Sequence, residues 1–551
     1  MSFISCMKVF VLKLVSMWDR SVSNLQVTGM DERSEKVSKQ VQVLEDAPKT
    51  SGRRMKQLIH NGVLIPDAYV PQAFTIALRG KPLKLTPLQE EMAVKFAQKF
   101  GTPYTEDPTF CANFMKDFAE ALGIKEKITV ADIDWAPITR WIEAERALKA
   151  NMSKEEKKQL AAARKKLREE RKERFGWATV DGARMEIGNY AVEPPSVFMG
   201  RGKHPVRGSW KPAIMTKDVT LNLSPDAPTP PGEWAGREWR PEELWIAKWT
   251  DKLSEKVKYI WFHDATPMKQ ERVQEKFDLA NELESKIDQV RAHIGDGLRS
   301  EDVKRRKVAT VAYLIDVFKI RVGDEKETES GTVGATSLQS KHITLHNSPR
   351  MVKLRFLGKD WVLFERELEV SQEAFHNLEE FTSEGGRIFS GVTTEAVREF
   401  LSEAMPRLSP KVFRTYSATH LFRERLESAK VVPESTDTEK KMTLTEANAA
   451  VAQLLNHQKA IPKKWQETYE KRMEMLKSLK GKKGKSIAKR KMGLQFRIAQ
   501  MRLGKNWNLG TSLRNYIDPR VSVEFCKKVN YDWKAYYPKA LITKFAWAEL
   551  A

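Results

Sequence analysis

Apolar side chains recur with the period of an α-helix over much of the chain beyond residue 266. In the segment VKRRKVATVAYLIDVFKIRVGDEK, the apolar positions that share one helical face are Val308, Val311, Ala312, Ile315 and Phe318. Gly323 follows this series and predicts the end of the helix. The same spacing in LTPLQEEMAVKFAQKF predicts an earlier helix with a proline near its start.

Two more helices are predicted from residues that favour helix N-termini. Ser409 and Pro410 suit the N-cap and the first helical position. Thr443 and Glu446 have the spacing of a capping box, so we expect a helix that opens there and runs to about His457.

A β-hairpin is predicted within this helical region, in the segment MVKLRFLGKDWVLF. Its first half alternates Lys353 and Arg355 with the apolar positions Val352, Leu354 and Phe356. Gly358 precedes a second alternating run, so we expect Lys359 at or next to the turn.

The chain before residue 266 has a different pattern. Residues 52–150 mix short extended runs with helices, and residues 176–262 read as short strands and loops. KYIWFHD predicts a strand at the end of this region.

Two segments carry so much charge that they cannot face a core. Residues 152–175 hold ten Lys/Arg and five Glu with almost no apolar stripe, which predicts a long solvated helix. Between Lys463 and Lys505, fifteen Lys/Arg stand against three Glu, with helical patterning on both sides of GKKGKSIAKRK. We expect two helices joined by a basic, glycine-containing turn. Such runs are usually solvated faces, but they also suit a surface that lies along phosphates.

The overall charge favours a polyanionic partner. The chain of 551 residues has a formal net charge of +22 and a pI of about 9.6. Nucleic acid is the commonest partner for such a field, with a solubility surplus, a ribosome or a membrane surface as alternatives. At this length, two to four domains are expected.

Metal, disulfide and membrane chemistry find little support in the sequence. The cysteines Cys6, Cys111 and Cys526 are far apart, which favours a reducing compartment and argues against a disulfide framework or a zinc site. His342 and His346 lie in a stretch that reads as extended, so they do not predict a metal site. The first eighteen residues resemble a signal peptide only superficially, and no membrane-spanning run follows.

Transfer of a phosphodiester needs a nucleophile, donors for the nonbridging oxygens and an acid for the leaving oxygen. Arginines are suitable donors because each guanidinium is planar and permanently charged. The sequence contains neither a carboxylate cluster nor a P-loop, so it does not predict two-metal chemistry or ATP hydrolysis. Composition and periodicity alone do not select particular residues for these roles.

Five motifs in order resemble those of type IB DNA topoisomerases of the eukaryotic type. They are R-V-G-D-E-K at 321–326, F-L-G-K-D at 356–360, K-V-F-R-T-Y at 411–416, N-H-Q at 456–458 and S-L-R-N-Y-I-D-P-R at 512–520. The resemblance also includes HNGVLIPDAYVP, MSKEEK, EPPSVFMGRGKHP, KYIWFHD and KFAW, and covers roughly residues 52–551.

The resemblance implies a role for each matching residue. Tyr516 would attack the phosphodiester and form a 3′-phosphotyrosine, while Lys359 would protonate the leaving 5′-oxygen. The nonbridging oxygens would be held by Arg321, Arg414 and His457. The further DNA contacts implied near the cleaved step are Arg201, Lys203, Asp360, Asn515 and Lys411.

The function implied is ATP-independent relaxation of positive and negative supercoils by a monomer on double-stranded DNA. No cofactor is expected to be required, although magnesium ions could stimulate by screening DNA charge. Poisons of the camptothecin type are expected at the cleaved step. The short N-terminal extension and short basic hairpin suggest an archaeal or otherwise compact form. An archaeal chain would act on cytoplasmic chromosomal DNA, and a eukaryotic chain would act in the nucleus.

The expected fold is a multidomain α+β protein shaped as a bilobed DNA clamp. The expected divisions are an N-terminal extension (1–51), an α+β cap lobe (52–265), a mainly α catalytic core with a β-hairpin (266–459), an antiparallel helical-hairpin linker (460–503) and a C-terminal domain (504–551). A tyrosine recombinase shares the catalytic set and remains an alternative, as does a DNA clamp without activity.

Overall fold

The computed structural model describes residues 54–323, 331–383 and 385–550. The expected N-terminal extension and residues 324–326 of the R-V-G-D-E-K motif lie outside the described residues. The described residues belong to one unit, Thr50–Ala551.

Short strands and four α-helices form the described part of the chain between residues 54 and 265. The helices are α1 (Pro87–Ala97), α2 (Pro108–Ala121), α3 (Ala136–Asn151) and α4 (Lys154–Phe175). The strands are β1 (Leu58–His60), β2 (Thr75–Leu78), β3 (Lys81–Lys84), β4 (Ile133–Asp134), β5 (Trp177–Val180), β6 (Ala183–Glu186), β7 (Ser196–Val197), β8 (Trp210–Lys211), β9 (Val219–Asn222), β10 (Gly236–Glu238), β11 (Trp245–Thr250) and β12 (Val257–Trp261).

The strands of this region form small sheets with the orders β3-β2-β4, β1-β5-β6, β7-β8 and β10-β9-β11-β12. Only the β9–β10 pair is parallel among the pairings of the described strands. Two apolar cores lie beneath them, one around stacked Phe96 and Phe114 and one around Ile246 and Phe262. The predicted mixture of strands and helices is confirmed, including the strand in KYIWFHD.

The charged helix predicted at residues 152–175 is confirmed as α4, which has no buried residue. Ser153 accepts a hydrogen bond from the Glu156 backbone NH and completes a capping box with the Glu156 side chain. The helix is thus started by its cap, and none of its side chains is buried in a core.

The region after residue 266 is mainly helical, as predicted. Its helices are α5 (Pro267–Leu298), α6 (Val303–Phe318), α7 (Gln372–Ser383), α8 (Thr394–Ala404), α9 (Pro410–Glu427) and α10 (Asp437–Leu454). The predicted hairpin is confirmed within a three-stranded antiparallel sheet of β13 (Ile343–Asn347), β14 (Arg350–Gly358) and β15 (Val362–Glu369). One apolar core joins α5, α6, this sheet and α7 to α9.

Two predicted helix boundaries are wrong. Helix α6 ends before Lys319, which has a left-handed conformation (φ 57°), and not at Gly323. Helix α10 opens at the Thr436 N-cap with a Thr436–Glu439 capping box, so Thr443 lies inside the helix, and α10 ends at Leu454. Ser409 and Pro410 do occupy the N-cap and first position of α9, as predicted.

The basic segment forms two helices, α11 (Trp465–Lys477) and α12 (Lys485–Leu503), which confirms the helical hairpin. Near its base Trp465 stacks on Tyr469 with ring centres 4.9 Å apart, and the indole NH donates to the Met501 carbonyl at 3.2 Å. Arg502 donates to the Tyr469 hydroxyl at 2.6 Å. The start of α11 therefore packs on the end of α12, which makes the two helices antiparallel.

The last segment contains α13 (Leu509–Asn515), α14 (Pro519–Lys528) and α15 (Lys539–Lys544). Its apolar residues, including Leu513, Ile517 and Phe545, share a core with Phe277 of α5 and Phe422 of α9. This packing ties the segment that contains Tyr516 to the preceding helices. The bilobed clamp itself remains a prediction.

A buried ion cluster fixes the turn that follows α6. The Asp316 carboxylate accepts from Arg291 Nε at 2.8 Å and from Lys319 Nζ at 2.9 Å. Burial opposes ionisation of Asp316, but the charges of Lys319 and Arg291 hold its pKa below the usual value.

We expect Asp316→Asn to lower the free energy of unfolding by about 3 kcal/mol, because it leaves two cations without their partner. The loss should be full at neutral pH and should shrink as the pH falls through the acidic range, where the wild-type carboxylate is itself protonated. Chemical denaturation at several pH values measures this, with Asp296→Asn at an exposed pair with Arg299 as the control. Equal losses in the two variants would contradict it.

Candidate active site

The hairpin tip carries Lys359 and Asp360 in a tight turn. Gly358 pairs with Val362 at the end of the β14–β15 register, so residues 359–361 form the turn. Asp360 and Trp361 both have positive φ values, 65° and 61°. The Lys359 side chain is exposed at this tip.

A loop of the N-terminal region contacts this hairpin tip. Arg201 Nη1 lies 2.6 Å from Asp360 Oδ1. Gly202 has a φ of 55°, and a Cβ there would lie 2.6 Å from the Trp361 ring, so only glycine fits this close approach. Lys203 follows in the same loop and is exposed.

Arg321 lies two residues beyond the left-handed Lys319, in the segment that leaves α6. The side chain is exposed, and its backbone carbonyl accepts from the Ala335 NH at 2.9 Å. Arg321 is therefore held by its backbone, with its guanidinium left accessible.

Arg414 projects from α9 and is only 4% exposed. One guanidinium nitrogen donates to the Lys319 carbonyl, and the other terminal nitrogen donates to the Leu455 carbonyl at 3.1 Å. Its Nε has no hydrogen-bond partner among the described residues. Burial lowers the pKa of Arg414 to about 10, so the group remains charged at neutral pH.

His457 follows α10 directly after Asn456, whose φ of 54° turns the chain. Its Nδ1 lies 3.4 Å from Ser512 Oγ, and its buried Nε2 has no partner within the described part of the chain. Burial, with the charges of Arg414 and Arg321, lowers the pKa of His457 to about 3. The imidazole is consequently neutral at physiological pH.

Tyr516 is 3% exposed and lies against both of these groups. The centre of its ring is 5.2 Å from the Arg414 guanidinium carbon and 5.1 Å from the centre of the His457 ring. Burial alone would raise the pKa of Tyr516, but the charges of Arg414, Arg321 and Lys411 outweigh it and lower the pKa. The phenol is thus easier to ionise than an ordinary tyrosine.

A cavity of about 480 Å³ gathers most of the predicted residues. Its lining includes Arg201, Arg321, Lys359, Asp360, Arg414 and His457. Tyr516 borders it through Arg414 and His457. Lys411 instead lines a neighbouring cavity of about 260 Å³, and Asn515 lies immediately before Tyr516.

Sequence reasoning missed two residues that hold the Tyr516 backbone. Lys276 of α5 donates to the Asn515 carbonyl at 2.9 Å, and Thr419 of α9 donates to the Tyr516 carbonyl at 3.2 Å. Contacts to backbone carbonyls leave no motif, so no signal in the sequence marked them.

Within the described ranges, no group of three or more His, Cys, Asp or Glu side chains could hold a metal ion. Among the same residues, every helix is too short or too polar to span a lipid bilayer. His346 lies on strand β13, in agreement with the extended prediction.

Family models match almost all of this chain. The DNA-binding fragment of eukaryotic DNA topoisomerase I matches residues 53–262, its catalytic core matches residues 265–492, and a C-terminal topoisomerase domain matches residues 489–551.

Whole proteins are also similar to this chain. DNA topoisomerase 1 of Drosophila melanogaster is 32% identical over 92% of the chain, and DNA topoisomerase 1 beta of Arabidopsis thaliana is 33% identical over 90%. The chain spans 55% and 58% of their lengths, little more than half. The mitochondrial DNA topoisomerase I of Pan troglodytes is 32% identical, with 90% of each chain covered. These relatives are eukaryotic, so they give no support to an archaeal form. The chain belongs to the eukaryotic DNA topoisomerase I family, which is of type IB.

Proposed function

We propose that the protein is a type IB DNA topoisomerase that relaxes positive and negative supercoils without ATP. The observation that carries this proposal is the environment of the buried Tyr516 phenol. The charges of Arg414 and Arg321 lower its pKa, and both arginines line the adjacent cavity together with Lys359 and His457. A nucleophile among fixed cations is what transesterification at a phosphodiester requires.

Tyr516 is the nucleophile in this mechanism. Its phenolate attacks phosphorus, the P–O5′ bond breaks, and a 3′-phosphotyrosine with a free 5′-hydroxyl results. The phosphodiester energy stays in the tyrosyl linkage, so the 5′-oxygen can attack in return and reseal the strand. The burial of Tyr516 supports this role because the surrounding packing fixes its ring.

Arg321, Arg414 and the neutral His457 bind the nonbridging oxygens as phosphorus becomes pentacoordinate. Arg414 is suited to this because two carbonyls orient its guanidinium before substrate arrives. His457 can donate through only one ring nitrogen while neutral, and its unpartnered Nε2 is the available one.

Lys359 is the general acid that protonates the leaving 5′-oxygen. Its position at an exposed hairpin tip, in a turn tied to Arg201 through Asp360, supports entry of the ammonium group into a DNA groove.

Double-stranded DNA is the substrate, held between a cap lobe (52–265) and the catalytic lobe (266–459). Phosphate contacts dominate such a grip, so affinity falls steeply with salt. The residues proposed to contact DNA near the cleaved step are Arg201, Lys203, Asp360, Asn515 and Lys411. The enzyme acts as a monomer, needs no cofactor, and binds camptothecin-like poisons at the nick.

We infer that the enzyme works on chromosomal DNA of a eukaryotic cell, because the similar proteins named above are eukaryotic DNA topoisomerases. Nuclear action follows most directly from these relatives. Three similar proteins are named mitochondrial, so imaging of the tagged chain against both organelles is the matching measurement.

Relaxation of negatively and positively supercoiled plasmid in EDTA, without ATP, tests the proposed function. We expect both signs to relax to completion. A requirement for ATP or a metal ion would refute the proposal and leave a DNA-binding clamp as the better account.

The linker hairpin, residues 460–505, is expected to slow rotation of the cut strand. Replacing residues 474–491 by a short Gly-Ser turn keeps the Trp465–Tyr469 stack and buried Leu494 and Ile498. Cleavage should be unchanged, and more turns should be lost per nick because fewer cations drag on the DNA. Single-molecule supercoil relaxation measures the step size. A step-size distribution equal to that of the wild type would contradict the proposal that the hairpin slows rotation.

A further inference from the structure

The peptide backbone on both sides of Tyr516 is held by side chains from two different helices. On one side, the Asn515 carbonyl accepts from Lys276 Nζ of α5 at 2.9 Å. On the other, the Thr419 hydroxyl of α9 donates to the Tyr516 carbonyl at 3.2 Å, and the Thr419 Oγ1 in turn accepts from the Asp518 NH at 3.1 Å. We call Lys276 and Thr419 the backbone clamp.

The clamp binds groups that the local helix cannot satisfy. Asn515 is the last residue of α13, so its carbonyl lacks an intrahelical donor. Tyr516 lies just outside the helix, with φ −128° and ψ −30°. Within α13 the Ser512 carbonyl accepts from the Tyr516 and Ile517 NH groups at 2.9 and 3.1 Å, whereas the Asn515 and Tyr516 carbonyls are bound by donors from outside the helix.

Lys276 is an unusual choice for a purely structural contact. It is partly buried, and no carboxylate lies within 4.0 Å of its ammonium in the described ranges. Burial, followed by the charges of Lys411 and Lys544, lowers the pKa of Lys276 to about 7, with Asp518 opposing. The other charged groups that line the adjoining cavity are Arg272, Glu275 and Arg407.

We propose that Lys276 and Thr419 are positioning residues that place the Tyr516 oxygen in line with the scissile phosphate by holding the two carbonyls that flank it. This inference rests on the proposed topoisomerase activity. Neither side chain enters the chemistry itself. The clamp instead aligns the nucleophile, whose position relative to phosphorus must be kept within a fraction of an ångström.

Lys276→Met removes the donor and keeps an unbranched chain of similar length. Single-turnover cleavage of a nicked suicide duplex should slow by about 10- to 100-fold, the usual effect of misplacing a reacting group by up to an ångström. The dissociation constant for DNA should stay unchanged. Lys286→Met is the matched control, because Lys286 lies on the same helix and pairs only with Glu282 at the surface.

The conservative variant Lys276→Arg supplies the pH readout. A guanidinium has room in the adjoining cavity of about 260 Å³ and should restore most of the cleavage rate. The guanidinium stays charged at pH values where the Lys276 ammonium loses its proton. The ratio of the wild-type to the Lys276→Arg cleavage rate should therefore fall as the pH rises from 6 to 9. A residue with only a packing role would give a constant ratio.

Variants of Thr419 test the other half of the backbone clamp, and they do not depend on whether the Lys276 variants fold. Thr419→Val has the same shape without the hydroxyl and should slow cleavage, whereas Thr419→Ser should not. The clamp is overturned if Lys276→Met and Thr419→Val cleave like wild type, or if Lys276→Met loses DNA affinity while its saturated cleavage rate is kept. Failure of the wild type to cleave the suicide duplex would instead refute the proposed function.

Discussion

Tyr516→Phe is expected to abolish relaxation of supercoiled plasmid and formation of the covalent DNA adduct. The substitution removes a single oxygen, and loss of a catalytic nucleophile costs on the order of 10⁶-fold in rate. The ring remains in its pocket beside Arg414 and His457, so the fold and the DNA surface should be preserved. Both signs of supercoil should persist through an overnight incubation.

Two further measurements show whether the loss of relaxation is caused by the missing phenolic oxygen of Tyr516 and not by weaker DNA binding. Denaturing gels of a radiolabelled suicide duplex report the adduct, and a filter-binding titration at fixed salt reports affinity, which should match wild type. Tyr537→Phe is a control in the same core, because its buried hydroxyl lies 2.8 Å from Ser522 Oγ, away from Arg414 and His457. Adduct formation by Tyr516→Phe would show that another residue is the nucleophile.

Local features of the fold were predictable where one signal dominated. Alternation in MVKLRFLGKDWVLF placed Lys359 at or next to the β14–β15 turn, and Ser409–Pro410 marked the start of α9. The charge of residues 152–175 predicted that α4 buries no residue, and it buries none.

Helix ends were harder to predict because two signals competed at each. Both Thr436–Glu439 and Thr443–Glu446 have capping-box spacing. The earlier pair starts the helix, and residues 437–442 include buried Lys440, which donates to the Pro433 and Asn530 carbonyls. Gly323 looked like the stop for α6, but the Asp316 contacts fix Lys319 in the left-handed region four residues earlier.

The positions of the site residues depend on tertiary packing, which hydrophobic periodicity does not predict. Arg321, Arg414 and Tyr516 are brought together by the shared packing of α5, α6, α9 and the C-terminal helices, and only the resemblance selected them in advance. Lys276 was missed even so, because its hydrogen bond to the site is made to a backbone carbonyl.

Arg414→Gln is expected to slow cleavage by about 100- to 1000-fold at neutral pH, the usual cost of removing one fixed donor to a developing oxyanion. A second effect adds to this. Burial raises the pKa of Tyr516, and Arg414 contributes the largest opposing charge, so the variant should ionise its phenol at higher pH than wild type. The pH–rate profile should move to higher pH accordingly. Part of the rate should return as the pH approaches 10.

The matched control for this variant is Arg366→Gln. Arg366 donates to the Phe318 and Leu454 carbonyls at 3.0 and 2.9 Å, and Arg414 donates to the next carbonyl in each segment. Both variants lose backbone anchors and should lose thermal stability, but only Arg414 faces the Tyr516 ring. Single-turnover cleavage between pH 6 and 10 separates the two effects. If Arg366→Gln showed the same rate loss and the same shift of the profile, Arg414 would be acting as a scaffold, and its proposed contact with the phosphate would be wrong.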